Sequence, residues 1–176
     1  MASRRQFDVE ADGVDIQSLW RALTKDKIKV LQKAAAGLVS EAKILEGNET
    51  VLNSLLYVSF GPGELSSALL IADQSAAHSS APGLEPFTER IVEFDEKKHV
   101  LTFLGVEGGY MNLGFTHYLV TFKLDDFGGG KTMVNASVTY DLKENLDESQ
   151  LLDGFLKLLR YYLDSVINYL QQKHED

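Results

Sequence analysis

Two runs of strict alternation stand back to back in the second half of the chain, and a long amphipathic pattern follows them. In "HYLVTFKL", Tyr118, Val120, Phe122 and Leu124 face one way, and His117, Leu119, Thr121 and Lys123 face the other. In "VNASVTYD", Val134, Ala136, Val138 and Tyr140 alternate with Asn135, Ser137, Thr139 and Asp141. Successive strand side chains point to opposite faces, so each run has one apolar and one wet side, as in an antiparallel sheet with one face in water. "DDFGGGK" between them reads as a hairpin connection. Residues 147–173 then repeat at helical spacing. Asp153, Lys157, Arg160, Asp164 and Asn168 form a narrow polar stripe, while Leu152, Phe155, Leu159, Tyr162, Val166 and Tyr169 fill much of the rest. That apolar surface has to cover something large, and the sheet's apolar face is the one partner of matching size. Asn145 and Glu148 have the spacing of a capping box for this helix.

The rest of the chain supplies the remaining elements. A first strand is expected within 6–14. "DIQSLWRAL" places Ile16, Leu19, Trp20 and Leu23 on one helical face, with Asp15 as N-cap. "KDKIKVLQKAAAG" reads as a second short helix ending at Gly37. From Leu38 the period drops to two, with Leu38, Ser40, Ala42 and Ile44 set against Val39, Glu41 and Lys43. "NSLLYVSF" is a further β segment, and others are expected at 87–95, 99–107, 112–125 and 131–142. The architecture is α+β: two short helices, a strongly curved antiparallel sheet and one long C-terminal helix across it. Side chains alone rarely fill such a grip, so an apolar cavity is expected, the usual setting of a small-molecule site. Residues 61–86 break the pattern. They are rich in Ser, Ala and Gly, hold all three prolines, and read as an insertion loop in a single unit spanning 1–176, with "ELSSALLIAD" as a short helix inside it.

Composition narrows the function. The absence of cysteine excludes a disulfide framework, a thiol nucleophile and zinc–thiolate sites. A net charge of −9, from 26 acidic and 17 basic residues, offers no cationic groove for nucleic acid. "MASRRQF" lacks the hydrophobic region of a signal peptide, and no apolar run is long enough to span a bilayer, so a cytoplasmic protein is expected, with nuclear entry by diffusion open to it. "GGGKT" at 128–132 ends like a phosphate-binding loop. That motif needs a glycine where Asp125 stands and a helix where a strand is expected, so the stretch reads as a turn. His78, His99, His117 and His174 have no metal-ligand spacing, and neither metal nor cofactor is expected.

Glu89, in "PFTERIVEF", is the acid of interest. It stands between Phe87 and Ile91 at strand spacing, so all three share a face. The strand's parity leaves open whether that face or the one carrying Thr88, Arg90, Val92 and Phe94 points inward. If Glu89 is inward and unpaired, burial raises its pKa and readies it to hydrogen-bond an N–H or O–H of a ligand.

"VEGGYMNLGFTHYLVTFKL" resembles the plant phytohormone-binding, or cytokinin-specific binding, proteins of the birch-pollen-allergen and class-ten pathogenesis-related superfamily. The similarity continues in "LWRALTKDKIKV", "IVEFDEKKH", "KTMVNASVTYDL" and "LRYYLDSVINYL". The resemblance implies a helix-grip fold, in which a curved seven-stranded antiparallel sheet and two short helices enclose a large hydrophobic cavity around the C-terminal helix. It also implies ligand contacts from Glu89, from Tyr162 on the long helix and from Leu23 on the first short helix. Phe87 and Leu159 stand where the family has a glutamine and a threonine, which favours a more apolar ligand than a cytokinin, such as a gibberellin or another terpenoid or phenolic. Leu23, Phe87, Phe103, Val120 and Leu159 are expected to form the apolar wall. The expected partner is a small hydrophobic ligand, held as a store, carrier or receptor by a monomer or weak homodimer, with neither nucleic acid nor membrane involved.

Two other readings share this fold. "EGGYMNLGF" is equally similar to norcoclaurine synthase, but the catalytic lysine, aspartate and tyrosine positions hold Leu101, Val120 and Phe87, and only Glu89 survives. Abscisic-acid receptors need a gate and a latch, and neither pattern occurs here. The glycine-rich loop after the second strand, invoked for ribonuclease activity in some members, keeps only Gly47 in "EGNETVLNS".

Overall fold

The computed structural model describes residues 2–61 and 85–175. The chain opens with β1 (Ser3–Ala11) and two short helices, α1 (Ile16–Leu23) and α2 (Lys27–Ala34). β2 (Val39–Glu46), β3 (Leu55–Phe60), β4 (Phe87–Asp95), β5 (Val100–Gly108), β6 (Phe115–Gly128) and β7 (Lys131–Leu142) follow, and α3 (Glu148–Glu175) closes the chain. Among the described residues the seven strands form one antiparallel sheet in the order β1-β7-β6-β5-β4-β3-β2. Neighbours in sequence are neighbours in the sheet from β2 to β7. The passage from β1 to β2 runs from one edge to the other by way of α1 and α2.

The inward run on β6 is the one its alternation predicts: Tyr118, Val120, Phe122 and Leu124 are buried, as are Val134, Ala136, Val138 and Tyr140 on β7. All five residues of the polar stripe on α3 are exposed, and Leu152, Phe155, Leu163, Val166, Ile167 and Leu170 are buried. Asp15 caps α1, its carboxylate accepting from the Ser18 amide at 2.9 Å. The glycine turn at 128–130 is a hairpin, and Lys131 beside it pairs with Glu10 at 2.7 Å and Asp12 at 3.5 Å. A lysine committed to two carboxylates, one on β1 and one just beyond its end, is not a phosphate ligand.

Several boundaries differ from expectation. β1 ends at Ala11 because the chain turns at Gly13 (φ +70°). β6 begins at Phe115 because Gly109–Leu113 winds into a single 3₁₀ turn, which ends where Gly114 adopts φ +127°. α2 stops at Ala34, short of Gly37. The capping box on α3 does not form. Asn145 has φ +66°, and Asp147 caps instead, accepting from the amides of Ser149 at 3.1 Å and Gln150 at 3.4 Å. Glu148 is thereby released to accept from the Tyr140 hydroxyl, which ties the start of α3 to β7. The helix expected at "ELSSALLIAD", and with it most of the insertion at 61–86, lies outside the described residues. Among those described, no helix is long and apolar enough to cross a membrane.

Candidate functional site

The sheet, α2 and the first half of α3 enclose a cavity of about 740 Å³, a volume that includes its opening to solvent. Val58, Phe60, Phe87, Phe103, Val120 and Phe122 line it from the strands. Leu31 faces them from α2, and Phe155, Leu158 and Leu159 from α3. Five polar side chains also reach the cavity: Lys27, Glu89, Tyr110, Tyr118 and Tyr162. Apolar walls with a few convergent polar groups suit a small organic molecule.

Glu89 points inward with Phe87 and Ile91, and only 8% of it is exposed. The parity question has a structural answer. A bulge between Ile91 and Glu93 resets the phase of β4, so Phe94 packs against the core as well. Both candidate faces therefore contribute, on either side of the bulge. Burial pushes the Glu89 carboxyl above its ordinary pKa of 4.5, and the positive charge of Lys27 pulls it partly back.

Lys27, the first residue of α2, is 4% exposed. Its ammonium donates to the Tyr162 hydroxyl at 3.0 Å and stands 4.4 Å from the centre of the Phe103 ring, a cation–π distance. Among the described residues no carboxylate lies within ion-pairing distance of it.

The phenols of Tyr118 and Tyr110 complete the polar end. Glu89 pairs across the sheet with Gly105, and the Tyr118 ring lies over that glycine. A Cβ at position 105 would stand 2.2 Å from Tyr118 Cζ, so the missing side chain is what admits the phenol beside Glu89. Tyr110, on the 3₁₀ turn, packs against Phe155 at a tilt of 34° with ring centres 4.2 Å apart, and its buried hydroxyl has no hydrogen-bond partner among the described residues. Burial raises the pKa of both phenols, and the Glu89 charge raises that of Tyr118 further.

Of the residues singled out from sequence, Glu89, Tyr162, Phe87, Phe103, Val120 and Leu159 meet at this cavity. Leu23 does not line it. It is fully buried in the packed core where α1 ends. Leu101, at the position of the synthase lysine, is also fully buried and outside the lining. The side chains that enter from the short helices are Lys27 and Leu31, and the polar one, Lys27, is the residue that sequence reasoning missed. Its signal was present: Lys27, Val30 and Leu31 share the buried face of α2 at i, i+3 and i+4.

The architecture is that of helix-grip proteins of the birch-pollen-allergen type, as the resemblance implied. No family model matches the chain. Over 63 residues it is 33% identical to norbelladine synthase of Narcissus pseudonarcissus, a match covering 36% of this chain and 39% of that protein. The chain thus aligns with about two-fifths of that relative's length. Among solved structures it is similar to norcoclaurine synthase from Thalictrum flavum in complex with dopamine and hydroxybenzaldehyde, with TM-score 0.72, 17% identity, and 98% of this chain and 88% of the other covered. It is also similar to major latex-like protein 151 from Panax ginseng, with TM-score 0.68, 16% identity, and 93% and 96% covered. At these identities the likeness establishes the fold.

Proposed function

We propose that this chain binds a small, mainly apolar organic molecule inside the cavity, of the plant-hormone or secondary-metabolite kind, as a carrier, buffer or receptor. The observation that carries this reading is the convergence of Glu89, Lys27 and Tyr162 on one space with apolar walls. Glu89 and Tyr162 supply the directional contacts, and Phe87, Phe103, Val120 and Leu159 supply the wall, with Leu23 bracing it from the core. The whole stretch 1–176 acts as one ligand-binding unit. Titration calorimetry against cytokinins, gibberellins, abscisic acid, auxin and dopamine tests the reading. Low-micromolar or tighter binding to one class supports it, and silence from a folded protein across the panel rejects it. Glu89→Gln weakens a ligand whose donor faces the carboxyl by about 1–3 kcal/mol. Unchanged affinity would place Glu89 outside the site.

A second reading, a condensing enzyme, draws on one observation: an amine and a carboxyl, Lys27 and Glu89, share the cavity. The partial match to norbelladine synthase points the same way. General acid–base work needs such groups within reach of the transferred proton. Incubation with dopamine and 4-hydroxybenzaldehyde, followed by mass spectrometry, tests it. A condensation product that Glu89→Gln abolishes would favour the enzyme, and unreacted amine would dismiss it.

A further inference from the structure

Among the described residues the Lys27 ammonium forms no ion pair. It is 4% exposed, its one hydrogen bond among the described residues is to a neutral phenol, and its other close neighbours are two aromatic rings. Buried charges in proteins are ordinarily paired, because an unpaired one gives up its hydration without return. Glu89 is the acid lining the same cavity, yet it makes no ion pair with Lys27, and burial biases it toward its neutral, donating form. A phenol oxygen and two ring faces compensate an ammonium only in part. The missing complement is a single negative charge arriving from inside the cavity, where the neighbouring walls are apolar.

Resting on the cavity-binding reading, we infer that the ligand class is a small, mainly apolar carboxylic acid, seated with its carboxylate on the Lys27 ammonium and the Tyr162 hydroxyl. Its hydrocarbon body lies along Phe103, Val120 and Leu159. A hydroxyl or carbonyl on the body is free to reach Glu89 or Tyr118. A single lysine suits one carboxylate better than a phosphate ester, which carries more charge than one ammonium can match. The same ammonium repels a cationic amine, since two like charges a few ångströms apart in a poorly hydrated space interact strongly. The inference therefore also weighs against amine substrates.

The test titrates the full chain with auxin (indole-3-acetic acid), abscisic acid and gibberellic acid, each beside its own methyl ester. The ester keeps the body and removes the charge. Any acid that binds should do so about 10- to 100-fold more tightly than its ester, the range of a charge-assisted hydrogen bond. In Lys27→Met, which keeps a similar volume, acid and ester should fall to within about twofold of each other. Lys131→Met, at the surface pair with Glu10, should leave the preference intact. Esters that bind as tightly as acids in the unmodified protein would overturn the inference and leave the cavity reading standing. So would an acid preference that survives in folded Lys27→Met. Failure of acids and esters alike would instead remove the cavity reading on which the inference rests.

Discussion

The two halves of α3 carry the same kind of apolar stripe and meet different surroundings. Leu163, Val166, Ile167 and Leu170, in the C-terminal half, are buried in one continuous core with Leu19, Trp20 and Leu23 of α1 and with the inward residues of β6 and β7. Leu158, Leu159 and Tyr162, one to two turns earlier, are only half-buried and border the cavity. The difference lies in what the short helices contribute. α1 presents leucines and a tryptophan, which fill the space beneath α3. α2 presents Lys27, whose charge resists close apolar packing, along with Val30 and Leu31. One amphipathic helix can thus close a core at one end and wall a binding space at the other, and the opposing element decides which.

Truncation is the sharpest way to break this comparison. Leu163→Ala, at the filled end, should cost about 2–5 kcal/mol in chemical denaturation, because a fully buried leucine leaves a void its neighbours cannot close. The next largest effect belongs to Gly105→Ala. Its new Cβ collides with the Tyr118 ring, and the overpacking should cost about 1–3 kcal/mol, together with displacement of the phenol from beside Glu89. If stability and ligand affinity both hold in that variant, Tyr118 has a second resting place. Leu159→Ala should cost less than about 1 kcal/mol, since its side chain already borders empty space. Equal losses at 159 and 163 would abolish the distinction between the two ends.

The smallest effect is a slope. Between pH 4.5 and its raised folded pKa, Glu89 holds a proton in the folded state that it has released in the unfolded one. Its contribution is fully present below pH 4.5 and is lost as pH rises through the folded value. Glu89→Gln should flatten that part of the stability profile and leave the variant the more stable protein at neutral pH. Denaturant titrations at a series of pH values would show it. A parallel profile in the two proteins would mean that Glu89 is ionised and compensated in the folded state.

The features legible in the sequence are those with an unbroken period. β6 and β7 alternate cleanly, and their inward faces are the ones read off. The polar stripe of α3 is continuous, and Asp15 caps α1 where its position before the apolar pattern says it should. The illegible features are those where the period slips. On β2 the inward residues are Val39, Ala42 and Ile44, because the register shifts between Val39 and Glu41. On β4 the shift after Ile91 made either parity of Glu89 plausible. Lys27 escaped notice for a different reason: a lysine is ordinarily exposed, and that expectation outweighs its place on the apolar face of α2 with Val30 and Leu31.

The register shifts also account for an oddity of the surface. Leu45, Val92, Val106 and Phe127 are large, apolar and 39–61% exposed, and each sits where one strand carries a residue its neighbour lacks. Each is a residue of strand length without a partner in the ladder, and such insertions bend the strand that carries them. Facing pattern and curvature are thereby encoded separately. Removing Val92 altogether would leave Glu89 and Ile91 inward, Glu93 outward and Phe94 inward, because Glu93 already pairs with the residue next to Ile91's partner. What would go is the bend. The shape of the container is written in the number of residues per strand, where no substitution reaches it, and its volume can be changed by deletion while every side chain that lines it keeps its identity.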